Sequence, residues 1–213
     1  MTTRQDVMLL DDVLPEFDTT IIEHIVIDAS SEVVYRTARE MDFMQIHSPM
    51  LDAAMAVRGL PAKLGRRSRD RSTPPPPSMR LANLLDDSTD PGGFEDWVAL
   101  GERPGRELVF GAIGKVWQPD IDWRPVSVDA FKDFAEPDYA KIAAGFSVRD
   151  YGANRTLLSY EARTACTDDA ARRKFLRYWW LVRRFVHFVM RAAVVTVRDL
   201  AADETHLSAA SVD

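Results

Sequence analysis

The strongest constraint on this chain is a helical pattern, unbroken by glycine or proline, that runs from Asp168 to about Leu200 directly after a strand-like stretch ending at Cys166. Phe175, Trp179, Val182, Val186, Val189, Ala193 and Val197 recur at three- and four-residue steps, the amphipathic signature of a helix laid across a sheet. Arg173, Arg177, Arg184, Arg191 and Arg198 form the opposite stripe. Four of these arginines stand seven apart, a step that drifts only about 20° on a straight helix. One face therefore grips a core and the other meets water. Leu181, Phe185, Phe188 and Ala192 widen the apolar side beyond what a single sheet covers. The arm around Met8 to Phe17, or a second subunit in a homodimer, is expected to shield them. Trp180 falls near the arginine stripe and is expected at a surface or interface.

The remaining bounds are permissive. The 213 residues, 46% hydrophobic and 28% charged, suffice for one domain with a sizeable core. A net charge of -6 argues against a general nucleic-acid binder, whose affinity rests on phosphate neutralisation. Cys166 is the only cysteine, so an intrachain disulfide and a cysteine-cluster metal site are excluded. Met1 to Leu14 does not read as a signal peptide. The apolar run Phe185 to Val197 is interrupted by His187 and Arg191, against a spanning helix of about 20 apolar residues. A cytoplasmic location is the expectation.

Along the chain, the β-branched Thr19 to Ile27 predicts a strand, and Ser30 can cap a helix whose apolar face is Val33, Val34, Ala38 and Met41. Asp42 to Leu60 predicts a second, broken helix, with Pro49 blocking continuity. Lys63 to Ser78, basic and carrying Pro74 to Pro77, predicts a mobile loop. Strands are then predicted over Glu95 to Leu100, Glu107 to Trp117, Val126 to Phe134, Ala140 to Asp150 and Arg155 to Cys166. Pro104-Gly105 fits the centre of a type II turn, and Gly152 to Asn154 a short hairpin connection. Hairpin-joined neighbours are antiparallel, so the helices collect on one side of a curved sheet in an α+β layout. A polar tail spans 201–213.

The opening IIEHIVIDASSEVVYRTARE (Ile21 to Glu40), the run ELVFGAIGKVW (Glu107 to Trp117) and LSYEARTACTDDAARRKFLRYWWLVR (Leu158 to Arg183) resemble the START-like helix-grip superfamily. That group includes polyketide cyclases and dehydrases, lipid-transfer domains and plant pathogenesis-related proteins. The resemblance covers about Phe17 to Leu200. It implies a curved antiparallel sheet wrapped around the long C-terminal helix, two short helices after the first strand, and a cavity for an apolar or aromatic molecule. Its enzymes use differing residues in that cavity, so it assigns no catalytic set.

Glu161 and Arg163 are two apart on the last strand and share a face, within reach of each other. Turned toward the cavity, they could anchor a carboxylate, enolate or phosphate; turned outward, they are a solvated pair contributing little. Arg149 is a further candidate polar contact. Trp97, Trp117, Trp179 and Tyr160 supply candidate aromatic walls, with core packing the alternative. The histidines form no constellation with metal-ligand spacing, and no metal or cofactor is expected. Glu161 and His24 are the acid/base candidates. Gly111 and Gly114 read as allowing sheet bending or close approach rather than as a phosphate loop. Cys166 reads as a buried small hydrophobe. The expectation is a binding protein for a small hydrophobic, aromatic or acyl ligand held between sheet and C-terminal helix. A cyclase, dehydrase or hydrolase using the same cavity is the first alternative, and an interaction module with a filled core the second.

Overall fold

The structure, a computed structural model, describes residues 7–43, 79–86 and 94–210, with side chains through 204. It opens with an arm carrying one helical turn, α1 (Leu9–Val13), which leads into β1 (Thr19–Ile27). Ser30 ends that strand region and starts α2 (Ser31–Glu40), its hydroxyl accepting from the Val33 amide at 3.4 Å. Val34, Ala38 and Met41 on the inner face of this helix are fully buried. A short α3 (Leu81–Leu85) follows, then β2 (Trp97–Arg103) and β3 (Glu107–Gly114). Between these strands the Arg106 amide donates to the Arg103 carbonyl at 2.9 Å, and Gly105 takes φ +72°. This is the type II arrangement that Pro104-Gly105 prescribes.

The sequence pattern fails at Val126 to Phe134. Instead of a strand, Val128–Asp133 forms helix α4, capped by Ser127, whose hydroxyl accepts from Ala130 at 3.3 Å. Phe131 alone is buried from it. An N-cap serine outweighed the β-branched flanks, as local capping often does in a short segment. β4 (Ala140–Asp150) and β5 (Thr156–Cys166) complete the sheet, joined by a turn in which Gly152, Ala153 and Asn154 all have positive φ. α5 (Asp169–Ala210) closes the described chain. Asp168 caps it, accepting from the Ala171 amide at 2.8 Å.

All strand pairings are antiparallel, in the order β1-β5-β4-β3-β2. The chain's first and last strands are therefore neighbours, and β1 and β2 are the edges. Side-chain alternation then divides the molecule. One face of the sheet, carrying Ile21, Ile25, Leu108, Phe110, Phe146, Leu158 and Tyr160, packs on α2 and α5 and forms the main core. The other, carrying Val109, Ile113 and Ala143, packs on α1 and Phe131. This is an α+β, helix-grip-like arrangement. Gly111 is needed for it: a Cβ there would come within 2.5 Å of Leu100 Cδ1 and 2.6 Å of the Ile142 carbonyl.

At 42 residues α5 is about 63 Å long, against about 37 Å for an 11-residue strand. It cannot be buried along its whole length. Ala171 and Phe175 are buried near its start, and Met190, Ala193, Val194, Val197 and Ala201 further on. Between them no residue from 176 to 189 is buried. Val189, expected inside, is only half-buried, with Met190 taking the inward place. Trp179 is half-buried, its ring stacked on Phe175 with centroids 5.7 Å apart. The arm does not shield Leu181, because it lies on the opposite face of the sheet. The broken helix expected to Leu60 and the basic loop fall outside the described residues for all but Asp42 and Phe43.

Phe175→Ala is expected to cost about 3–5 kcal/mol in denaturant unfolding, as deletion of a buried ring does. Trp180→Ala, at a residue 73% exposed, should stay within about 0.5 kcal/mol. Equal losses would mean that the middle of α5 is packed.

Candidate functional site

The residues singled out from the sequence divide between the two faces of the sheet. On β5, Tyr160 pairs across to Phe146 and Glu23 and faces α5, whereas Glu161 and Arg163 point the other way. His24 and Arg149 share the arm-side face with them. Glu161, Arg163, Arg149 and His24 are thus brought together, but outside the space between sheet and C-terminal helix that the sequence reading assigned to them. Trp97 and Tyr160 are on the helix side. Trp117 lies beyond the end of β3, which stops at Gly114, and is half-buried in the following turn.

Arg163 explains why the arm-side group is structural first. Its Nε donates to Glu161 at 2.6 Å, and its two terminal nitrogens donate to Asp11 at 2.7 Å and to the carbonyls of Leu14 and Leu10 at 3.2 and 3.4 Å. Its guanidinium also lies 4.8 Å from the centroid of Phe17. Burial opposes the charge, but the hydrogen bonds that the guanidinium donates to Glu161 and Asp11 outweigh it and raise the pKa. The fork is occupied by the arm and has little left for a ligand. Glu107, 1% exposed, repeats the device, accepting from the Leu9 amide at 2.9 Å and from Arg103 at 2.6 Å. Asp18 adds a third fastening through the Cys166 amide at 2.8 Å and Arg172 at 2.9 Å.

A groove of about 210 Å³ remains between the arm and the sheet, where Arg149, His24, Ser159 and Glu161 meet Met8 and Asp11. His24 Nδ1 and Ser159 Oγ are 2.8 Å apart. No carboxylate holds the other ring nitrogen among the described residues, so the pair lacks the third group that orients a catalytic imidazole. Among the described residues Arg149 reaches only Met8 Sδ, at 3.4 Å. A wider cleft of about 660 Å³ on the same face is bordered by Phe17, Lys132, Phe134, Lys141 and Cys166. Burial first, then the neighbouring Asp18, pushes the Cys166 thiol up to about 12. It is a protonated, inert thiol, half-buried rather than enclosed.

The helix side is aromatic. Phe43, Phe94, Trp97 and Phe110 meet with centroids 5.5 to 6.5 Å apart, and Phe146 joins Phe43 at 6.5 Å. Tyr160 stacks on Phe146 at 4.1 Å with an interplanar angle of 11°. The phenylalanines of this wall were missed from sequence, although the alternation Leu108, Phe110, Ala112 and Ala144, Phe146, Val148 already places them on one face with Tyr160. Tyr160 is 8% exposed and its hydroxyl has no hydrogen-bond partner among the described residues. Burial alone raises its pKa.

No group of three or more histidines, cysteines and acids suited to a metal occurs among the described residues, and no described helix is long and apolar enough to cross a membrane. No protein-family profile and no curated protein matches the chain. Among solved structures, a protein from Arthrobacter aurescens determined by solution NMR matches at 10% identity with a TM-score of 0.37, covering 90% of this chain and 92% of that one. CalU16 from Micromonospora echinospora matches at 12% identity and 0.28, covering 87% and 84%, and TTHA0849 from Thermus thermophilus at 9% and 0.28, covering 88% and 99%. Likeness at this level carries no argument about function.

Two outcomes follow from the arm-side chemistry. Arg163→Met should destabilise the protein by about 3–5 kcal/mol, because it leaves Glu161 without its buried partner and frees the arm. Limited proteolysis should then cut between Met8 and Asp18 before the sheet; an arm as resistant as in the wild type would refute the clamp. For Cys166, the unfolded chain ionises its thiol from about its ordinary value of 9.0 while the folded chain does not. The unfolded state then binds fewer protons, so this contribution to stability is present below about pH 9 and falls as pH rises above it. A thiolate-selective reagent at pH 8 should label the native protein at least about a hundredfold more slowly than the unfolded chain.

Proposed function

We propose that the protein binds a small hydrophobic molecule, aromatic or acyl, between the helix-side face of the sheet and the helices that cover it. Tyr160 is the observation that carries this reading. The Tyr160 hydroxyl, buried and without a hydrogen-bond partner among the described residues, sits within an aromatic surround. A buried phenol left unsatisfied costs about 1–3 kcal/mol, and a ligand oxygen or nitrogen placed over it would remove that penalty. Phe43, Phe94, Trp97, Phe110 and Phe146 supply the faces and edges that favour a flat apolar partner.

Binding without chemistry is the better supported form. Acid/base catalysis needs two titratable groups converging on the substrate, whereas Glu23, the acid that pairs with Tyr160 across the strands, is engaged by His187 and Arg191. Glu161 and His24, the residues first considered for proton transfer, face the arm. Polar recognition in this reading belongs to Tyr160, not to Glu161, Arg163 or Arg149.

The protein purified from its native host, extracted with organic solvent, should release an apolar compound identifiable by mass spectrometry. A naphthyl ketone should bind saturably, and Tyr160→Phe should weaken it about tenfold, the worth of one hydrogen bond to a buried group. Naphthalene, with no acceptor, should bind both proteins alike. An empty extract together with no saturable binding of either probe would sink the reading.

A further inference from the structure

The middle of α5 is a basic, aromatic ridge that the fold leaves uncovered. Trp180 and Leu181 are each 73% exposed and Leu176 40%, in the stretch 176–189 that has no buried residue. The arm is fastened to the other face of the sheet by Arg163, Glu107 and Asp18, so it does not reach them. From Asp169 to Arg191 there are seven arginines and lysines against one acid, in a chain whose net charge is -6. Arg172, Lys174 and Arg191 are engaged by Asp18, Asp138 and Glu23. Arg173, Arg177, Arg183 and Arg184 are exposed and have no carboxylate partner among the described residues. At about 100° per residue, Arg173, Arg177 and Arg184 fall within about 60° of Trp180, with Leu176 and Leu181 on either flank. Beside this ridge, toward the edge strand β1, lies a recess of about 440 Å³ lined by Thr20, Ile21, Trp179, Arg183, Arg184 and His187.

We propose that this ridge docks on an anionic phospholipid surface, with Trp180 and Leu181 entering the headgroup boundary and the four unpaired arginines on lipid phosphates. Charge complementarity selects the occupant. Four guanidiniums without counter-charges repel one another, and an anionic surface relieves all four together, each basic residue near it strengthening binding about fivefold. A tryptophan set among arginines is apolar in body and polar at its edge, the character that favours the bilayer interface. A second copy of this chain fits poorly. A two-fold contact centred on Trp180 would lay Arg177 and Arg184 of one copy against the same arginines of the other. An acidic partner helix would need a groove to receive its apolar anchors, whereas the exposed residues here crown a single helix. The recess takes one headgroup, its phosphate reached by Arg183 and Arg184, while His187 beside them is held by Glu23 on the neighbouring strand, 2.9 Å from its Nδ1. The inference does not depend on what occupies the helix-side interior.

Co-sedimentation of the full chain with vesicles tests it. Vesicles of phosphatidylcholine with about 30% phosphatidylserine at about 0.1 M salt should capture the protein, and pure phosphatidylcholine should not. Capture should fall at least about tenfold in Arg177→Glu/Arg184→Glu and in Trp180→Ala/Leu181→Ala, both altering exposed positions, with unchanged thermal unfolding of each variant as the check on folding. It should also fall near 1 M salt, where the screening length is about 3 Å. Failure of the anionic vesicles to capture the wild type overturns the proposal, as does equal capture of both variants. So does a concentration-dependent dimer in sedimentation velocity that Trp180→Ala/Leu181→Ala dissolves, or binding of an acidic helical peptide with no vesicle capture.

Discussion

Arg163 is the point at which the arm is joined to the last strand. A guanidinium on the last strand, its side chain only 10% exposed, is charged in a position that water cannot solvate, so the fold must supply its partners. Glu161 supplies one from the same strand; Asp11 and the Leu10 and Leu14 carbonyls supply the rest from the arm. The arm needs such fastenings, to which Glu107 and Asp18 add, since α1 is a single turn and is marginal as an isolated helix. Once seated, it covers Val109, Ile113 and Ala143, which would otherwise be an open apolar surface on the second face of the sheet. The same charge that could have recognised a ligand is thereby consumed in closing the structure.

That closure settles how labour is divided across the sheet. The arm-side face is ionic and self-satisfied: Glu107, Asp18 and Arg163 each answer a group of the arm or of α5's first turn. The helix-side face is aromatic, with the buried Tyr160 hydroxyl left without a hydrogen-bond partner among the described residues. A sheet with hydrophobic covers on both faces needs opposite solutions on each, because successive residues point to opposite sides and no strand can favour one without furnishing the other. Glu161 beside Tyr160 is the clearest case: adjacent in sequence, one belongs to the clamp and the other to the aromatic wall.

α5 links these features to the surface. Its length exceeds the sheet it covers, so it grips at two places, around Phe175 and around Ala193, and spans the interval with Trp180, Leu181 and unpaired arginines facing out. Glu23 on the edge strand holds the interval in register through His187 and Arg191, and Arg191 also donates to the His24 carbonyl at 3.2 Å, covering part of an otherwise unpaired strand edge. The helix is thus a core element at its two contact sites and a presented surface between them.

The amino-acid sequence by itself determined what depends on near neighbours. The period-two and period-3.6 patterns placed β1, β4, β5 and α5, and the Ser30 cap and the Pro104-Gly105 turn needed nothing beyond their own few residues. Local chemistry also decided against expectation at Val128–Asp133, where the Ser127 cap outweighed the apolar pattern. Pairing β1 with β5, by contrast, joins residues more than a hundred positions apart, and only that pairing, with α5 lying over one side, decides which face of β5 is inside. From the sequence alone Glu161 and Arg163 could be seen to share a face, but not which face, because alternation fixes relative orientation and is symmetric about the strand. The contact between Arg163 and Asp11 left no local trace at all, since nothing in the arm's residues encodes where on the sheet it will land. Tertiary structure broke that symmetry by desolvation: whichever face received the long helix had to carry the aromatic residues, and the charged pair was left to find its partners on the other.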